Sequence, residues 1–232
     1  MGEVPSGTDG HVAWVDFHFD VMCPYAFQTS RWIREVREAT GLDVRWRFFS
    51  LEEINRAEGK KHPWERDWSY GWSMMRIGAH LGRIDPVLLD RWYLAAGTAL
   101  HVEGRKPHRK EVAEALLAEL DLDPGLVDEA LADPTTGEEV WADHRRVADR
   151  GVFGVPTLIF DDDQALFGPV LIDPPTGERA VRLWQHVTDW LQFPRLFEIK
   201  RAKTDEDVAA IAATFRPYLD ARDWETVERP AR

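Results

Sequence analysis

Cysteine occurs once in this chain, at Cys23, within "FDVMCPYAFQTSRWI" from Phe19 to Ile33. A cysteine thiolate attacks disulfides and oxidised electrophiles, and it can itself be carried to a sulfenic acid. An arbitrary free cysteine is more often a small buried apolar side chain. The setting of Cys23 argues for chemistry. It follows an alternating apolar run and precedes Pro24, a residue suited to the first turn of a helix. Unpaired backbone N–H groups and the positive helix end favour an anion there, lowering a thiol from about 8.5 to between about 3.5 and 7.5. A thiolate at neutral pH is the expectation.

Pro156, in "GVPT", stands at the entry to a second apolar run and is a candidate cis proline. If the strand ending before Cys23 and the strand starting after Pro156 are both central, Val155 and Pro156 pass close to the sulfur. Val155 then offers backbone groups to an incoming extended thiol.

The elements that must position these residues follow from periodicity. "HVAWVDFHFD", His11 to Asp20, alternates Ala13, Val15, Phe17 and Phe19 on one face and predicts a strand. Trp32, Ile33, Val36 and Ala39 recur at helical spacing from Pro24 until Gly41 ends the helix. Leu42 to Leu51 alternates again, giving a right-handed βαβ unit. From Pro63 to Arg150 the pattern is helical, with helices expected over Pro63 to Leu81, Asp85 to His101, His108 to Leu120, Pro124 to Leu131 and Thr136 to Arg150. Thr157 to Phe160 and "ALFGPVL" predict a hairpin around "DDDQ". Thr176 to Leu191 predicts an amphipathic helix, and a last helix begins near Thr204, capped by "TDED". The fold class is therefore α/β, with a parallel half and an antiparallel hairpin in one sheet, interrupted by helices: the order of a thioredoxin-like domain. Its expected parts are a discontinuous thioredoxin-like domain over 11–55 and 136–192, a helical insertion over 56–135 and a helical extension over 193–232.

Composition excludes other classes. The formal net charge is -12, with 41 acidic residues against 29 Lys and Arg, which disfavours nucleic acid and anionic membranes. The start "MGEVPSGTDG" has neither a basic region nor an apolar run, and no stretch approaches the roughly 18 apolar residues of a span. A cytoplasmic protein is expected, with its single thiol kept reduced. His108, His144 and His186 lack ligand-like spacing, so no metal site is expected. "GVFGVP" lacks the spacing of a nucleotide fingerprint, so neither nicotinamide nor flavin is indicated. Trp64, Trp68 and Trp72 recur every four residues and read as one stripe of a helix, for packing or as an aromatic lid. "KPHRK", Lys106 to Lys110, reads as a solvated helix start, or as a receiver for a substrate carboxylate or a sugar-linked thiol.

Taken together, "CPYA" after a strand, a long helical insertion and "GVPT" before a strand resemble the DsbA-like branch of the thioredoxin superfamily. The likeness covers about Val12 to Leu191 and is nearest to the actinobacterial mycothiol-dependent oxidoreductases or nitroreductases. "SLEEIN", ending in Asn55, and "AAGTALHVEGR", containing His101, resemble two further segments of that group and make Asn55 and His101 pocket candidates. The resemblance implies a site formed by Cys23, Pro24, Tyr25, Ala26, Val155 and Pro156, with no tightly bound cofactor. Its co-substrate would be a low-molecular-weight thiol, mycothiol ahead of glutathione or bacillithiol. The implied partners are that thiol, a small electrophilic or disulfide substrate, a mycoredoxin-type reductant, and a second copy of the chain as a homodimer. Redox relatives carry a second cysteine three positions after the first, where this chain has Ala26. Without it the mixed disulfide cannot be resolved within the chain. Two alternatives stand beside this reading. In kappa-class glutathione transferases and hydroxychromene carboxylate isomerases, which share the fold, a side chain at the helix start stabilises a bound thiolate. The other alternative is a non-catalytic binding module.

Overall fold

The computed structural model describes residues 12–222. The first residue of the expected opening strand, and the end of the expected extension, lie outside the described residues. β1 (Trp14–Phe19) leads through a tight turn to α1 (Pro24–Thr40). Gly41 adopts φ 75 and returns its N–H to the Arg37 carbonyl, the left-handed stop that glycine allows. β2 (Asp43–Phe48) follows. The strand expected to reach Leu51 ends earlier because the Ser50 side chain caps a short helix, α2 (Leu51–Ile54).

Five helices come next: α3 (Tyr70–Ile84), α4 (Pro86–His101), α5 (Lys110–Glu119), α6 (Leu126–Ala132) and α7 (Pro134–Ala148). Asp85 and Asp133 cap α4 and α7, each directly before a proline at the first helical position. Two antiparallel strands, β3 (Thr157–Phe160) and β4 (Ala165–Phe167), then precede α8 (Gly177–Trp190), α9 (Asp205–Thr214) and α10 (Arg216–Ala221). β4 is shorter than expected, stopping where Gly168 takes φ 109 and Pro169 has no N–H to donate.

The tryptophan stripe is a correction. Trp64 lies in a 3-10 turn and Trp68 in a loop, and only Trp72 is in α3. Tertiary bonds override the spacing of four: the Trp68 indole N–H is held by the His108 carbonyl, and α3 begins only after Ser69. Trp64 packs on Trp72 and Trp141 from across a chain break in helicity.

The sheet runs β2-β1-β3-β4, with β1 and β2 parallel, β3 antiparallel to β1 and β4 antiparallel to β3. Phe17 sits between Trp46 on β2 and Leu158 on β3. One face is apolar: Phe19 stacks on Tyr93 of α4 at 3.9 Å, Arg34 of α1 lies over Trp46, and Phe160 stacks on Trp184 of α8. The Trp32 indole joins α1 to α8 by donating to the Ala180 carbonyl at 3.0 Å. On the opposite face Asp16, buried, pairs with Arg47 at 3.0 Å and with Arg146 of α7 at 2.7 Å. Helices thus cover both faces, and the inserted ones share one core with the sheet. Among the described residues no helix is long and apolar enough to cross a membrane.

Candidate active site

The register of the central strands decides where the chemistry lies. His18 of β1 is opposite Thr157 of β3, and these strands run antiparallel. The chain leaving β1 and the chain entering β3 therefore emerge side by side at one end of the sheet. Cys23 caps α1 with extended backbone. Its Sγ accepts from the Ala26 N–H at 3.4 Å and donates to the Val155 carbonyl at 3.5 Å. The Val155–Pro156 bond is cis, and the Thr157 hydroxyl braces the loop by donating to the Gly154 carbonyl at 2.8 Å. Pro24 is the first helical residue, and Ala26 holds the place where a second sulfur would stand.

Asp20 is a partner that the sequence did not single out. It is a buried carboxylate that accepts from Met22 N–H at 2.9 Å and from Leu51 N–H at 2.8 Å, while its backbone carbonyl accepts from Cys23 N–H at 3.0 Å. It thereby ties the cysteine turn to the start of α2. α3 joins this junction at Gly71, where a Cβ would stand 2.6 Å from Asp20 Oδ1. An acidic residue closing an apolar strand three positions before the cysteine was the available signal. Burial raises this carboxyl to about 6, against the pull of its two amide donors.

The expected thiolate is not what this structure holds. Cys23 is 6% exposed, and burial pushes its thiol up to about 12, with the Asp20 charge adding to the rise. The amides of Ala26 and Tyr25 act in the opposite sense and are outweighed. The helix end is in place as expected, but desolvation of the charged form is the larger effect here. Burial and the contact with the Val155 carbonyl both favour the protonated sulfur.

The other expected site residues divide. The Tyr25 ring meets Phe215 edge-on at 4.8 Å, and its phenol is raised first by partial burial and then by Cys23. His101 ends α4, where its Nε2 donates to the Val21 carbonyl at 2.8 Å and its ring packs between Phe27 and Tyr218. Burial lowers it to about 4, so it is neutral and serves as a brace for the cysteine turn. Asn55 is exposed at the end of α2 and turns its amide back to the Leu51 carbonyl at 2.8 Å. No hydrogen bond among the described residues joins Asn55 to Cys23. Phe215 and Tyr218 were also missed, although "TFRPYL" places two aromatics three apart around Pro217. Among the described residues no group of three or more His, Cys, Asp and Glu could hold a metal ion. His144 instead accepts from the Ser50 N–H at 3.2 Å.

A cysteine at a helix start, faced by a cis proline at a strand entry, matches a family model over residues 22–201, described as mycothiol-dependent nitroreductase Rv2466c. The chain belongs to this Rv2466c-like family. A further relative, uncharacterized protein Rv2286c of Mycobacterium tuberculosis, is 57% identical over 215 residues, covering 93% of each chain. Among solved structures, a 2-hydroxychromene-2-carboxylate isomerase aligns with TM-score 0.56 at 16% identity, over 78% of this chain and 96% of its own. The cytosolic disulfide reductase DsbM from Pseudomonas aeruginosa, solved with GSH, aligns with TM-score 0.52 at 17% identity, over 77% and 97%. These two show the DsbA-like, thioredoxin-like fold with its helical insertion. The Rv2466c-like match ends at residue 201, so α9 and α10 lie beyond it.

Proposed function

We propose that this Rv2466c-like chain is a thiol-dependent oxidoreductase in which Cys23 works alone with an external low-molecular-weight thiol, mycothiol ahead of glutathione. The observation that carries the reading is the convergence of the Ala26 N–H and the Val155 carbonyl on one sulfur, with no second cysteine in the chain. In disulfide exchange the Cys23 thiolate attacks one sulfur of a disulfide, forming a mixed disulfide and expelling the other sulfur as a thiolate. A second small thiol then attacks the mixed disulfide, releasing Cys23 and carrying away its partner as a disulfide. For a nitro group, Cys23 and one mycothiol supply one electron each, giving the nitroso compound, water and the Cys23–mycothiol disulfide.

A second reading is favoured by one feature, the absence of a resolving cysteine at Ala26. In it Cys23 steadies the thiolate of a bound thiol for transfer or isomerisation. Incubation with oxidised mycothiol or oxidised glutathione, followed by intact mass measurement, decides. The redox reading expects one thiol adduct that is lost in Cys23→Ser. Tight binding of the reduced thiol with no adduct overturns it in favour of transfer.

A further inference from the structure

The tail beyond α8 is attached to the body in an uneven way. Residues 192–206 are exposed, with Phe197 at 88%, and α9 buries no residue. Among the described residues of the tail, firm contact comes with α10 and the residue before it. Phe215, 5% exposed, stands against Tyr25, two residues after the sulfur. Tyr218 stands against His101, whose Nε2 holds the Val21 carbonyl two residues before the sulfur. Between them Pro217 lies against Gly104 at the end of α4, and Ala221 is buried. The two tail aromatics therefore bracket the cysteine turn from outside.

We propose that α10 is a built-in lid on the Cys23 site, an autoinhibitory contact that an incoming thiol or substrate lifts before the sulfur can react. A segment anchored at one end of an exposed arm opens locally, without disturbing the core. Lifting it removes the burial that keeps the sulfur protonated, and leaves the amides of Tyr25 and Ala26 to hold the thiolate. The lid depends on Cys23 being the reactive group of the proposed function, and it is tested by a probe that needs no thiol co-substrate.

The test is the rate of Cys23 carboxamidomethylation by iodoacetamide in the full chain, followed by intact mass. Phe215→Ala/Tyr218→Ala should react at least about tenfold faster than wild type, as expected when the open form is a small fraction. A second, milder variant, Phe215→Leu, removes the ring that meets Tyr25 while keeping an apolar side chain, and should react at least about threefold faster. Rates within about twofold of wild type for Phe215→Leu, or for a double alanine variant with unchanged circular dichroism, overturn the lid. Faster alkylation with no adduct from oxidised mycothiol leaves the lid standing and removes the redox reading instead.

Discussion

On the side where α1 begins, Cys23 is held by short-range bonds from three directions: its own helix through Ala26, the β3 entry through Val155, and the Asp20 junction that draws in α2 and Gly71. On the other side the neighbours of the cysteine turn, Tyr25 and His101, meet the tail aromatics Phe215 and Tyr218, which follow an exposed arm. The first side is part of the core and is lost only with the fold. The second can leave at small cost. The difference teaches that two separable things bear on the sulfur: a fixed array of donors and, with α10 as the lid proposed above, a removable cover.

Substitutions on the fixed side should therefore cost global stability, and those on the cover should not. The largest loss is expected for Phe27→Ala. Phe27 is buried, stacks on His101, and leaves no room for a Cβ on Gly97, so its cavity should cost about 3–5 kcal/mol, read as a lowered denaturant midpoint. Retention of the midpoint would show that this side is not core.

Asp20→Asn comes next and is read against pH. A carboxyl raised from its ordinary value to about 6 in the folded state favours folding while protonated. Its contribution is complete below about pH 4 and is lost as pH rises to about 6, amounting to about 3 kcal/mol. Wild type should lose this stability across that window, and Asp20→Asn should not. Parallel profiles would contradict the assignment. The same substitution removes a charge that raises the Cys23 thiol, so that thiol should fall.

Phe215→Ala should lower global stability by less than about 1 kcal/mol while speeding hydrogen exchange in α10, since the lid detaches on its own. Asn55→Ala marks the small end of the scale. With its amide bonded only within α2, it should change stability by less than about 0.5 kcal/mol and leave Cys23 alkylation unchanged. A large effect on alkylation would place it in the site after all.

What was legible in the sequence was local. Gly41 stops α1, Thr204 caps α9 through Asp207, and Thr157 to Phe160 is a strand over the range its apolar run implies. The nearness of Val155 to Cys23 followed once two central strands were paired. The protonation state was not legible, because burial of the sulfur outweighs the amides of the helix start, and no spacing records burial. Trp64, Trp68 and Trp72 misled for a related reason: a spacing of four also arises where a turn, a loop and a helix start are tied together by tertiary bonds.

The direct test of this account is the alkylation rate of wild-type Cys23 followed across pH, with no co-substrate present. A sulfur kept protonated under a closed cover gives a rate that keeps rising past the free-thiol value of about 8.5 without levelling. A plateau reached below about pH 7 would mean an exposed, ionised thiolate in the resting protein, and the cover would have no part in its chemistry.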